Sequence, residues 1–166
     1  LSQQALNLTR RNIINNKISL KNIKLLKSDV FKNLESEKFD LIINDVSGIS
    51  EKLLPISSWF KNVPCNSGSD GTDLTIEVLK NFKLYLSKKG KMYLPIISLS
   101  NEKKIFKFLN KNKIKYKIIS KNYWPLPKEL YKSLNLLNKL KLLNYINFEK
   151  KFNMLIANTK IVKITN

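Results

Sequence analysis

The run Phe39-Asp40-Leu41-Ile42-Ile43 stops abruptly on an amide and a carboxylate, Asn44 and Asp45. A short apolar run bounded by polar residues reads as a buried strand, and in open α/β sheets ligands gather beyond the carboxyl ends of such strands. Asn44 and Asp45 are therefore expected at a ligand-facing edge. The preceding apolar run, residues 23–26, closes in the same manner on Ser28-Asp29-Val30-Phe31. A second strand is expected over 23–27, with Asp29 on the same edge as Asn44.

The rest of the chain alternates helical and strand-like patterns. Ser2 is placed to cap a helix with Ala5, Leu6, Thr9 and Ile13 on one face, and Arg10 and Arg11 lie near its carboxyl end, where cations suit the dipole. Residues 45–71 carry Gly48, Pro55, Pro64, Gly68 and Gly71 without a period. Structureless stretches of that length are commonly lids or binding loops, so this one is read as an active-site loop. Thr72 or Asp73 then caps a helix with Ile76, Leu79, Phe82 and Leu86 inward, ended by Lys88-Lys89-Gly90. Residues 91–97 read as a strand, Asn101-Glu102 opens a helix carrying Ile105, Phe106 and Leu109, and 115–120 is strand-like again. The prolines of Asn122-Tyr123-Trp124-Pro125-Leu126-Pro127 argue against regular structure there. A helix from about Lys128, with Leu130, Leu134, Leu137 and Leu140 inward, precedes β structure over 152–157 and 161–164, with a break at Asn158-Thr159. Such alternation implies an α/β sandwich.

A chain of 166 residues with 43% hydrophobic content is expected to form one domain, 1–166, and to bury roughly 70% of its unfolded surface. Its one cysteine, Cys65, allows no internal disulfide, and without histidine a nitrogen-and-sulfur zinc site is out of reach, so no metal is expected. No apolar run approaches a membrane span. A cytoplasmic protein with no membrane partner is the expectation. The net charge of +19 invites a nucleic-acid reading, yet the only arginines are Arg10 and Arg11 and the excess is lysine, accompanied by many Asn and Ile. That is the profile an A+T-rich coding sequence imposes on any protein. A solvated lysine-rich surface, weakly attractive to polyanions, is expected.

The ordered set of segments resembles a known family. A helix bearing Arg10-Arg11-Asn12, then Ser28-Asp29-Val30-Phe31, the Phe39-to-Asn44 strand, a long loop, Gly68-Ser69-Asp70-Gly71-Thr72-Asp73-Leu74, a helix, Lys88-Lys89-Gly90-Lys91 and a strand together resemble the small-domain S-adenosylmethionine-dependent methyltransferases. These include the release-factor glutamine methyltransferases and related nucleic-acid amino-methyltransferases. The likeness covers roughly residues 1–101. It implies a class I, Rossmann-like sandwich, S-adenosyl-L-methionine as cofactor, and a release-factor-like protein or an RNA as substrate. Asp29 would accept a hydrogen bond from the adenine amino group, with the backbone of Val30 beside it. Asn44 would border the cofactor and align the substrate nitrogen on the methyl carbon, and Asp45 would accept a proton or hydrogen bond. Positioning of this kind supplies most of what methyl transfer needs, because the sulfonium is already a reactive donor.

The chain also departs from the family. Where the motif after the fourth strand is Asn-Pro-Pro-aromatic, this chain has Asn44-Asp45-Val46-Ser47, which leaves Val46 and Ser47 as substrate-facing positions without the rigid turn or the stacking ring. Trp59 or Phe60 in the long loop would replace that ring, while Trp124 reads as packing. Family members open with a strand, a glycine-rich turn and a second strand ending in an acid. Residues 1–6 match the family segment directly after that acid, so the chain reads as an amino-terminally truncated copy lacking the first two strands and inactive alone. In the family order 3-2-1-4-5-7-6, residues 23–27 would then stand apart from the sheet or collapse onto 39–44. A non-catalytic relative that binds RNA or a partner protein through the same cleft is the alternative.

Overall fold

The computed structural model describes residues 2–35, 37–45, 48–58 and 67–166. Composition alone points to one domain; the chain divides into two compact units, Leu1–Glu37 and Lys38–Asn166.

In the first unit, α1 (Gln3–Asn15) starts where Ser2 accepts a hydrogen bond from the Ala5 amide at 3.3 Å. Ile13 is buried and Leu6 half-buried, whereas Ala5 and Thr9 of the expected inner face are exposed. A 3₁₀ turn, Leu20–Asn22, follows. The strand expected over 23–27 does not form, for the segment joins no ladder among the described residues. A strand needs a neighbour to satisfy its backbone groups, and a unit of one helix and one 3₁₀ turn offers none. Lys24 instead pairs with Glu37 at 2.8 Å.

The second unit is a mixed α/β sandwich. Its strands are β1 (Phe39–Ile43), β2 (Leu86–Ile97), β3 (Lys115–Pro125), β4 (Glu149–Lys151) and β5 (Met154–Thr165), in the order β1-β2-β5-β3 with β4 also paired to β5. β1 and β2 are parallel; β5 is antiparallel to β2, β3 and β4. Hence β1, β2 and β3 all point the same way, and their carboxyl ends share one edge. Helix α2 (Asp73–Tyr85) joins β1 to β2, α3 (Glu102–Lys111) joins β2 to β3, and a 3₁₀ turn (Lys128–Ser133) with α4 (Leu134–Leu142) leads to β4.

Several elements differ from the sequence expectation for definable reasons. Helix α2 stops at Tyr85 and the chain enters β2 at once, because Leu86 is buried and pairs with Phe39. Its inner face is accordingly Thr75, Val78, Leu79 and Phe82. Gly90 is not a helix cap: a side chain there would strike the Leu86 side chain and the Phe39 carbonyl. β3 runs through Asn122, Tyr123 and Trp124 to Pro125, which an edge strand tolerates at its last residue. β5 is continuous through Asn158 and Thr159, since both sit in register with β3. It begins with a two-residue hairpin at Phe152 and Asn153, whose φ values of 49° and 57° suit the type I′ turn that joins twisted strands.

On one sheet face the central strands β2 and β5 are covered. Met92, Leu94 and Ile96 of β2 alternate with half-exposed neighbours and are buried with Val162 and Ile164 of β5, with Phe82 of α2 and with Ile105 and Leu109 of α3. A second cluster joins Ile49 and Leu53 of the long loop to Leu126, Leu130, Leu137, Leu140, Leu155 and Ala157. The described part of that loop is thus packed rather than lid-like, and Glu51–Ile56 forms a 3₁₀ helix around Pro55. On the opposite sheet face, Leu41 and Ile43 of edge strand β1 are 54% and 72% exposed. Among the described residues no helix is long and apolar enough to cross a membrane.

The change from 3₁₀ to α geometry near Leu134 turns that residue outward, to 40% exposure, while Leu130 and Leu137 are fully buried. Leu137→Ala should therefore cost about 2–5 kcal/mol and Leu134→Ala less than about 1 kcal/mol. Urea unfolding followed by circular dichroism measures both, and equal losses would contradict the observed helix phase.

Candidate functional site

The carboxyl edge of β1 and β2 gathers buried polar groups. Asn44 follows β1 directly and extends its ladder, donating its backbone N–H to the Tyr93 carbonyl at 2.9 Å. The residue is 8% exposed, and its side-chain Nδ2 is buried with no hydrogen-bond partner among the described residues. Leaving such a donor unpaired costs about 1–3 kcal/mol. Neighbouring buried polar groups are satisfied. Ser98 donates its backbone N–H to Asn158 at 2.8 Å and accepts from the Asn158 amide at 2.9 Å, and the Ser50 amide donates to Leu99 at 2.9 Å.

Two glycines hold the loop against this edge. A Cβ on Gly48 would lie 2.1 Å from the Gly71 carbonyl oxygen, and one on Gly71 would lie 2.5 Å from the backbone of Ile49 and Ser50. Gly71 also has φ of 74°, a region open to glycine without strain. The expected caps of α2 are replaced by Ser67, whose carbonyl accepts from Asp73 at 2.9 Å and whose hydroxyl accepts from Leu74 at 3.1 Å. The Thr72 hydroxyl is turned away to donate to Asp70 at 2.7 Å.

Asp70 ties the loop to the start of α3. Its carboxylate also accepts from Lys104 Nζ at 2.9 Å, and its carbonyl accepts from the Asn101 amide at 2.8 Å. Asn101 in turn caps α3, as the sequence predicts, accepting from the Lys104 amide at 3.0 Å. Burial pushes the Asp70 carboxyl upward, but the hydrogen bonds from Thr72 and Lys104 and the Lys104 charge outweigh it, holding it below the ordinary aspartate range. Sequence reading placed Asp70 in a family segment without a role. Its following Gly71 and Thr72 were the available signal.

Each residue predicted for the site has a definite status. Asn44 is buried at the edge and Asp45 beside it is exposed. Asp29 lies in the first unit, in a turn where Ser28 Oγ donates to the Val30 carbonyl and accepts from the Asn33 amide, both at 3.0 Å. Its carboxylate is paired with Lys32. Val30 has φ of 53°, the left-handed region unusual for a β-branched residue. Val46, Ser47, Trp59, Phe60 and Cys65 lie outside the described residues. Trp124 is half-buried, with its indole N–H donating to Thr159 Oγ1 at 3.0 Å, and packs on the second core cluster. Among the described residues no three potential metal ligands come together.

No family model matches the chain. Its fold is similar to the crystal structure of precorrin 8w decarboxylase from Methanobacterium thermoautotrophicum, with a TM-score of 0.53 and 10% identity over 99% of this chain and 66% of that one. A coclaurine N-methyltransferase bound to N-methylheliamine and SAH aligns with a TM-score of 0.43 and 12% identity, over 97% of this chain and 56% of that one. The chain thus spans less than two thirds of either structure. The first likeness establishes a shared fold.

Asp70→Ala should destabilise the protein by about 2–3 kcal/mol, the cost of a lost charge-assisted bond and a stranded donor. Because the folded carboxyl ionises below the ordinary value of 3.8, its stabilisation is complete above that value and is lost as pH falls through the lower folded value. The melting temperature of the natural chain should therefore drop more steeply on acidification below 3.8 than that of Asp70→Asn. Parallel melting curves would remove the ionised Asp70 link.

Proposed function

We propose that this chain is a Rossmann-like, S-adenosylmethionine-dependent methyltransferase domain that moves a methyl group to a nitrogen of a protein side chain or nucleic acid. The observation that carries the reading is the strand order β1-β2-β5-β3. It runs as the 4-5-7-6 portion of the order expected for the small-domain methyltransferases. The strand ending on Asn44 is then the one after which that family carries its Asn-Pro-Pro-aromatic motif.

That the buried Asn44 Nδ2 has no partner among the described residues supports a ligand there, because such a donor calls for an acceptor. A planar carboxamide fits both halves of the side chain: its oxygen accepts from Nδ2, and its NH2 donates to Oδ1 with the nitrogen held for reaction. A base carrying an exocyclic amine beside a ring acceptor fits equally. Exposed Asp45 is next in sequence and would accept the proton that the methylated nitrogen releases. The cofactor, when bound, supplies the electrophilic methyl on its sulfonium. Asp29 carries the adenine-binding role by resemblance. A release-factor-like protein and an RNA are the two substrate classes.

One observation favours the second reading, a non-catalytic relative that binds a partner through the same edge. Asp29 already neutralises Lys32, and adenine binding would have to compete with that pair. Saturation-transfer NMR with S-adenosylhomocysteine separates the two. Weak binding through the adenine protons is expected, reduced by about 1–3 kcal/mol in Asp29→Ala. Asn44→Ala should keep this signal and, in a longer protein that carries the two preceding family strands, abolish transfer of labelled methyl to a release-factor-like protein or RNA. An absent adenine signal, or one indifferent to Asp29→Ala, would reject the enzyme reading.

A further inference from the structure

Beyond the Asn44 edge, positive charge is organised along the seam between α3 and the edge strand β3. Lys103, Lys107 and Lys111 recur at every fourth residue of α3 and border a shallow groove of about 670 Å³ lined also by Phe106 and by the paired Glu102 and Lys160. Successive lysines of that row are about 6 Å apart along the helix axis, a step close to that between phosphates of an extended strand. Phe106 rests on Tyr116 of β3 with ring centroids 5.5 Å apart.

The sheet continues the track. Lys121 of β3 lies directly opposite Lys160 of β5, on the face that carries α3. Like charges facing each other across a ladder are destabilising, and neither strand contains a carboxylate. Lys160 reaches Glu102 of α3, but Lys121 rests over the ring of Tyr123, 4.5 Å from its centroid. Lys151 of β4 stands 5.6 Å from the same centroid and shares its charge with Glu149 at 2.6 Å. Tyr123 itself is 51% exposed. The ring is already faced by Lys121 and Lys151, with Glu149 beside them; a base that stacks on Tyr123 takes the place of these ammonium groups and leaves them for the phosphates on either side.

We propose that the α3–β3 seam binds single-stranded nucleic acid, with Tyr123 as the stacking platform and the lysines of α3, Lys121 and Lys151 on the backbone. The surface lies apart from Asn44, on the opposite margin of the sheet from β1, and does not depend on the methyltransferase reading. A duplex would meet the lysines but has no free base for the ring. An anionic membrane would meet the charge without using the ring's face.

The test is fluorescence anisotropy on the full chain with labelled oligouridylate, oligothymidylate and a duplex of equal length, and co-sedimentation with phosphatidylcholine–phosphatidylglycerol vesicles. Tyr123→Leu should weaken single-strand binding about ten-fold and leave duplex binding unchanged, whereas Tyr123→Phe should retain both. The pair Lys121→Ala/Lys151→Ala should weaken single-strand and duplex binding together, while Lys88→Ala/Lys89→Ala, which removes the same charge from an exposed part of β2, should stay within about two-fold. Equal binding of the two single strands, or a preference for oligouridylate, would each fit the platform, the second assigning it to RNA. Three results would overturn it: Tyr123→Leu binding like the natural chain, the two lysine pairs behaving alike, or vesicles bound as tightly as oligouridylate.

Discussion

The pairing of β5 between β2 and β3 is the constraint on which the rest of the second unit depends. β5 supplies Val162 and Ile164, buried opposite Met92 and Leu94, and its twelve residues are paired on both sides over most of their length. Among the described residues, β3 pairs with no other strand and β2 otherwise pairs with the short β1 alone. The ladder of β5 with β2 joins residues far apart in sequence and holds the carboxyl edges of β1, β2 and β3 in line.

That alignment gives the Asn44 edge its character. Buried hydroxyls and amides at Ser50, Ser67, Thr72, Ser98 and Asn158 are tied to backbone or side-chain partners, and the close approach of Gly48 to Gly71 leaves no room for a side chain between the loop and α2. Polar networks in a poorly solvated setting are stable when satisfied and costly when they are not. Against this background the Asn44 amide nitrogen, without a partner among the described residues, stands out.

Much of this was legible in the residues. The run closing on Asn44, the Asn101 cap of α3 and the Ser2 cap of α1 each depend on local chemistry, and each formed as its residues dictate. Features set by distant partners were not legible. Nothing local distinguishes residues 23–27, which join no ladder among the described residues, from 39–43, which find β2 as a neighbour. The extension of β3 to Pro125 depends on β5, and the hairpin at Phe152-Asn153 puts an aromatic residue where turn chemistry favours Asn or Gly. At the candidate site, Asn44 could be read from its place after the strand, but the pairing of Asp29 with Lys32 and the link from Asp70 to Lys104 could not.

Charge and chemistry are thus separated within one unit: a row of lysines along α3 and β3, and an almost uncharged polar edge at Asn44. The central claim is that this edge faces a ligand. The most direct measurement is the Asn44 side-chain amide signal in ¹H–¹⁵N spectra during titration with S-adenosylhomocysteine and a primary carboxamide together. The account expects an Nδ2 pair that shifts on titration, while the Asn158 side-chain pair stays in place. An Asn44 pair unmoved by both compounds would contradict it.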